Sequence, residues 1–233
     1  MVDRSYYAVT TVTRFEGCDM RSARTFMATA FIVGLAPLVA IGGSRDARVS
    51  DVAQRAPAGE ILDVTGHPLN PFEPDGVANV LFFIATDCPI SNSYAPEIQS
   101  ICSDYAGRGI ECSLIYEDVD LAASSRQLDE SVRKHLQEYG YTRIPAVVDR
   151  ARTIAKRAKA SVTPQAVVVD RTGKIRYRGR IDNFYAALGK TRRQVTEHDL
   201  RAALDAMLSG RAVPKSETEA LGCFIVDPAV LRK

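Results

Sequence analysis

Val77 to Ala85 (VANVLFFIA) is an almost unbroken apolar run of residues that favour extended backbone, and Cys88-Pro89 stands just past its end. A run of this kind fits a strand covered on both faces, which a sheet flanked by helices provides. A helix is expected from about Asn92 to Tyr105, where Ile98, Ile101 and Cys102 fall one turn apart. A second strand lies within Gly109–Tyr116, a charged surface helix within Ser124–Tyr139, a short strand at Ile144–Val148 and a basic helix at Ala151–Lys159. Val162 to Asp170 reads as a strand introduced by Pro164, and Ile175 to Ile181 as its hairpin return across the Arg171–Lys174 turn. Ile61–Val64 and Gly66–Leu69 suggest a small hairpin ahead of this unit. Thr196 is a good N-cap for a last helix carrying Leu200, Leu204, Met207 and Leu208 on one face, ended by Gly210. The plan is α/β, a central mixed β-sheet flanked by helices.

Composition removes several function classes. Thirty basic against 28 acidic residues leave a net charge of +2, so no electrostatic case for nucleic acid exists. Three scattered histidines, His67, His135 and His198, make a His-rich metal site unsuited to this chain, and no cofactor is called for. Five cysteines are too few for a disulfide-dense scaffold, so those that matter act one or two at a time.

The N-terminal part reads as a targeting segment. Met20-Arg21-Ser22-Ala23-Arg24 is a short basic region, Phe26 to Gly42 is uncharged and mostly apolar, and small residues close it at Ala40, Gly42 and Gly43. This is the pattern of a secretory signal peptide, with an uncleaved membrane anchor or a buried helix as competing readings. Met20 is an alternative start. The expected organisation is therefore an extension and signal peptide or anchor over 1–43, a linker over 44–58, a folded domain over 59–210 and a tail over 211–233 that carries Cys223. Cleavage near Gly43 leaves Cys88, Cys102, Cys112 and Cys223 in an exported, periplasmic or extracytoplasmic chain, where disulfides persist.

Cys88 carries the chemistry by position. A thiol between a buried strand and a helix N-terminus faces free backbone N–H groups and the positive end of the helix dipole, both of which favour the nucleophilic thiolate. Burial in apolar surroundings opposes this, and an inert core cysteine is the alternative. Cys102, on a helix face, and Cys112, opening a strand, are expected to be packing residues; a bridge between them is the competing reading. Asp87 is expected to face solvent, Tyr94 and Pro96 to lie near the site, His198 to be a surface residue, and Arg150 to Lys159 to form a solvated basic face. Arg178 and Arg180 are candidate attractors of an anionic partner.

The motif Phe83-x-Ala85-Thr86-x-Cys88-Pro89 resembles the active-site turn of thioredoxin-like proteins, especially exported, membrane-anchored thiol-disulfide oxidoreductases. Val162-Thr163-Pro164, followed by a β-run and Asp170-x-x-Gly173, is similar to their second signature, in which the proline is cis and packs against the active-site cysteine. Arg178-Gly179-Arg180-Ile181-Asp182-Asn183 and the distal Gly222-Cys223 resemble a redoxin subgroup related to alkyl hydroperoxide reductase and thiol-specific antioxidant proteins. The resemblance covers about Gly59 to Ile225. It implies a thioredoxin-like fold, thiol or disulfide chemistry at Cys88, and a substrate surface at Thr163 and Pro164 that pairs with an extended peptide.

Departures from the pattern sharpen the reading. Thioredoxins carry two cysteines separated by two residues, and here Ser91 stands in the second position, so the turn is Cys-Pro-Ile-Ser. A serine cannot resolve a mixed disulfide, so Ser91 is read as a hydrogen-bonding neighbour. Cys223 is the candidate resolving cysteine, with an external thiol as the other resolver and an incidental tail cysteine or a structural bridge as the competing readings of Cys223. Ala85 and Leu81 stand where peroxiredoxins have Thr or Ser and Pro, and Asn92 where copper-delivering relatives have a second cysteine. The expected activity is thiol-disulfide exchange through Cys88 on protein thiols or disulfides, recycled by an external thiol reductant. A thiol peroxidase acting on peroxide, and a non-catalytic module holding Cu(I) or protein, are the alternatives.

Overall fold

The computed structural model describes residues 61–118, 124–227 and 230. The targeting segment and the linker read from the sequence lie outside the described residues. Among those described, no helix is long and apolar enough to cross a membrane.

The centre is β1 (Ala78–Ile84), buried along its whole length. Its side chains alternate as a pleated strand requires: Val80, Phe82 and Ile84 enter one apolar cluster, and Leu81 and Phe83 the other. Parallel to β1 lies β2 (Ile110–Tyr116), followed outward by β3 (Ala146–Val148). On the other side β5 (Gln165–Asp170) runs antiparallel to β1, and β6 (Ile175–Gly179) closes the edge, giving the order β3-β2-β1-β5-β6. The sheet is mixed, as the sequence predicts.

Helices cover both faces. The expected single helix after β1 is two: α1 (Pro89–Ser93) and α2 (Ala95–Ala106), divided at Tyr94, with Pro96 in the first turn of the second. Proline has no N–H to give, so it sits easily where a helix restarts and poorly in the middle of one. α3 (Ser125–Glu138) begins with a capping box in which Ser124 and Gln127 satisfy each other's backbone N–H. α4 (Thr153–Ala158) precedes the strand pair, and α5 (Asp199–Leu208) packs Leu200 and Leu204 into the cluster of Phe82. The N-cap of α5 is His198, not Thr196, because Thr196 is committed elsewhere: its hydroxyl accepts from Asn183 Nδ2 at 2.8 Å and its N–H donates to Asn183 Oδ1 at 2.9 Å.

The expected 162–170 strand is broken by a cis Thr163–Pro164 bond into β4 (Val162–Thr163) and β5. A hairpin of β7 (Tyr185–Ala187) and β8 (Lys190–Thr191) was not foreseen. The tail returns to the domain. Its strand β9 (Cys223–Phe224) pairs antiparallel with β4, placing Cys223 opposite Thr163.

Three expectations fail on packing. Cys102 and Cys112 form a disulfide, since α2 lies on β2 and brings their Cα atoms to 5.9 Å. Arg152, within the run taken as solvated, is one of the largest fully buried side chains. Arg178 and Arg180 are paired with carboxylates of the same chain, with Glu217 at 2.5 Å and with Asp199 at 2.7 Å and Glu197 at 2.9 Å, so their charge is already matched.

The bridge closes a ten-residue separation, and the unfolded chain loses freedom accordingly. Replacing both cysteines by serine is expected to cost about 2–3 kcal/mol, read from urea unfolding of the two forms under non-reducing conditions. Equal midpoints would show that the bridge adds nothing.

Candidate active site

Cys88 is the N-cap of α1, with extended backbone (φ −87°, ψ 106°), and its carbonyl accepts from Asn92 N–H at 3.0 Å. No side chain caps this helix, so the first-turn N–H groups face the thiol's end of α1. The residue is only 1% exposed. Its Sγ lies 3.1 Å from the Thr163 carbonyl oxygen and 2.7 Å from Cys223 Sγ. Five residues singled out from the sequence, Cys88, Ser91, Thr163, Pro164 and Cys223, therefore occupy one place.

Gly222 makes this approach possible. A Cβ there would drive into the carbonyl of Thr163 and crowd Pro164 N, so the tail can lie on the cis-proline turn only with glycine at this position. The structure corrects one expectation here. The extended segment paired with Thr163 is β9 of the same chain, so the strand-addition edge foreseen for a substrate peptide is already filled.

The two thiols differ in proton affinity. Burial opposes ionisation of Cys88, but the Cys223 thiol and the hydroxyl and N–H of Ser91 outweigh it and hold the Cys88 thiol below its ordinary value. Cys223 belongs to an exposed stretch, yet its sulfur is turned inward. Burial of that sulfur, the neighbouring Cys88 and the charge of Asp87 push its thiol up to about 12. The arrangement sets a thiol that ionises more easily than usual beside one that holds its proton. Asp87 itself is exposed, and His198 is a surface residue, as expected.

Behind the turn lies a polar layer that the sequence did not disclose. Asn92 Nδ2 donates to the Thr86 carbonyl at 3.0 Å, and Asn92 Oδ1 lies 2.9 Å from His135 Nε2. His135 Nδ1 is 2.8 Å from the Tyr116 hydroxyl, and its ring stacks on Tyr139 at 4.4 Å. Thr86 also gives its N–H, at 3.0 Å, and its hydroxyl to Asp118 Oδ1. Next to Asp118, the Arg152 guanidinium lies 3.1 Å from Glu117 Oε2 and donates to the carbonyls of Asp149, Glu117, Asp118 and Val226. Several carboxylates share this one cation, so burial and the charge of Asp149 raise Glu117 to about 9 despite Arg152. The one signal available was the excess of acids at Glu117-Asp118, which could not show their burial. Tyr94 is buried, and its hydroxyl donates to Asp182 Oδ1 at 2.7 Å, which fixes the α1–α2 junction.

Alkylation of Cys88 is expected to follow a pH profile with its midpoint below that of an ordinary cysteine, and Cys223→Ala should move the midpoint upward. Iodoacetamide rates at the Cys88 peptide from pH 5 to 10 read both, and an unmoved midpoint would remove Cys223 as the stabilising partner. For His135, burial lowers the folded value below the ordinary 6.5. Its neutral form thus contributes stability that is present above the unfolded value and lost as pH falls through the folded one. The stability gap between the wild type and His135→Gln should narrow between pH 7 and pH 5, as measured by urea unfolding at both.

Residues 52–178 match the AhpC/TSA family. A hypothetical protein from Sinorhizobium meliloti is similar at 30% identity, covering 71% of this chain and 88% of that one, with a TM-score of 0.60. An uncharacterised conserved protein from Geobacillus kaustophilus is similar at 29% identity over 71% and 86% of the two chains, also at 0.60. No curated protein matches. The folded part, with its thioredoxin-like mixed sheet and cis-proline turn against a cysteine, agrees with the matched family over more than half the sequence: the chain belongs to the AhpC/TSA family.

Proposed function

We propose that this protein is an exported thiol-disulfide oxidoreductase in which Cys88 attacks and Cys223 resolves. The observation that carries the reading is the 2.7 Å approach of a thiol held below its ordinary pKa to one held far above it. The Cys88 thiolate attacks a disulfide RSSR, forming Cys88–S–SR and releasing RS⁻. The Cys223 sulfur then attacks the Cys88 sulfur, a Cys88–Cys223 bond forms, and a second RS⁻ departs. The Cys223 proton passes to a released thiolate, and two electrons have moved from the protein dithiol to RSSR. An external thiol reductant returns the pair to its starting state. Thr163 and Pro164 hold the surface against which both sulfurs sit, and the buried Ser91 hydroxyl, with no other hydrogen-bond partner, is free to donate to the thiolate. Export is supported by the Cys102–Cys112 disulfide, a bond that persists in oxidising compartments, together with the leader-like segment in the sequence.

Family membership favours a second reading, peroxide reduction by the same pair. There the Cys88 thiolate takes oxygen from ROOH, giving sulfenic acid and, with a proton, ROH; Cys223–SH then condenses with it to the disulfide and water.

The test is turnover with a small disulfide, 2-hydroxyethyl disulfide, and with a hydroperoxide, each coupled to a thiol reductant. Cys88→Ser is expected to lower turnover by at least about a thousandfold, and Cys223→Ser to stop after one event with the half-disulfide held on Cys88. Faster hydroperoxide than disulfide turnover transfers the assignment to the peroxidase. Full activity in Cys88→Ser defeats both.

A further inference from the structure

The tail is tied to the domain on both sides of Cys223. Upstream, Thr218 N–H donates to Arg178 O at 3.0 Å, Arg178 N–H to Ser216 O at 2.9 Å, and the Tyr177 and Thr218 hydroxyls meet at 2.7 Å. Gly179 accepts this close contact because a Cβ there would strike Thr218. Downstream, Ile225 N–H donates to Ser161 O at 2.9 Å, Arg152 Nε to Val226 O at 3.1 Å, and Lys156 Nζ pairs with Asp227 at 2.8 Å. Between these anchors β9 takes up the main-chain edge of β4, and Gly222 lies on the Thr163–Pro164 turn. Beside it is an open cleft of about 290 Å³, walled by Tyr94, Pro164, Tyr185 and Leu221.

We infer that β9 is a size filter: it admits a small diffusible oxidant to Cys88 and excludes folded proteins bearing a disulfide. For a small molecule the group in the way is the Cys223 sulfur, 2.7 Å from that of Cys88, and a side chain moves without breaking main-chain bonds. A protein disulfide must bring its own main chain beside Thr163, and that edge is bonded to β9, so the strap has to be lifted first. Local opening of this kind breaks every downstream tie at once and leaves the Arg152 Nε donor buried without its acceptor. The inference rests on Cys88 as the attacking thiol, and it narrows the substrates of the same site to small ones.

The experiment uses the full chain with Cys223→Ser, in which an attack at Cys88 is trapped as a mixed disulfide. Its formation is timed at the Cys88 peptide by mass spectrometry, with 2-hydroxyethyl disulfide and with insulin. The small disulfide is expected to react at least about tenfold faster, relative to the rates of the two with a free cysteine peptide. Adding Gly222→Val, which thrusts a side chain into Thr163, should raise the insulin-to-small ratio about tenfold or more. Lys156→Glu, on an exposed residue that does not threaten folding, should raise it about two- to fivefold by setting like charges against each other at Asp227. Equal normalised rates for both disulfides, or a ratio unmoved by either variant, overturns the filter while the exchange reading stands. A Cys88 that reacts with neither overturns both.

Discussion

The carbonyl of Thr163 is the point on which the site depends, because two distant parts of the chain are fitted to it. Cys88 Sγ approaches it from the end of β1, Gly222 lies against it from the tail, and the residue itself is the register partner of Cys223. Its position is fixed by the core. β5 begins one residue beyond the cis proline, and Gln165 is paired with Phe83 deep in the sheet. The two sulfurs, 135 residues apart in sequence, thus meet because a buried strand pair holds the turn between them. Each contact is unforgiving, since a Cβ at position 222 would remove the tail and a shift of β5 would remove the turn.

Arg152 plays the matching part on the other flank. A buried guanidinium costs several kcal/mol unless its donors are filled, and here four carbonyls accept from it, with the Glu117 carboxyl 3.1 Å away. One of those carbonyls belongs to Val226, so the tail completes a cation that the domain has already buried. The same cluster reaches back through Asp118 to Thr86, two residues before Cys88. The tail and the backbone beneath the attacking thiol are therefore joined by hydrogen bonds that run through Arg152 and Asp118.

Periodicity made much of the fold legible. The double-sided burial of β1 followed from eight apolar residues in a run of nine, and the helix after Ser124 from its charged surface pattern. The errors share a cause. The divided helix at Tyr94, the late start of α5 and the Cys102–Cys112 bond are all decided by what an element packs against. Arg152 looked like its basic neighbours because a charge run reports no direction, and a left-handed backbone at φ 58° turns this one inward. His135 and Asn92 gave no motif at all, since the bond between them joins helices that only the sheet brings together.

The sequence by itself determined the local features: a thiol at a strand-to-helix turn, a proline opening a later strand, and a glycine just before a distal cysteine. Each follows from the backbone preference of one or two residues, and neighbours in sequence suffice to express it. Tertiary structure alone decided that Cys223 covers Cys88, that β9 fills the edge beside Thr163, and that the two thiols have opposite proton affinities. Those depend on distances, burial and charge between segments far apart in sequence, 135 residues in the case of the two thiols, which no local preference encodes.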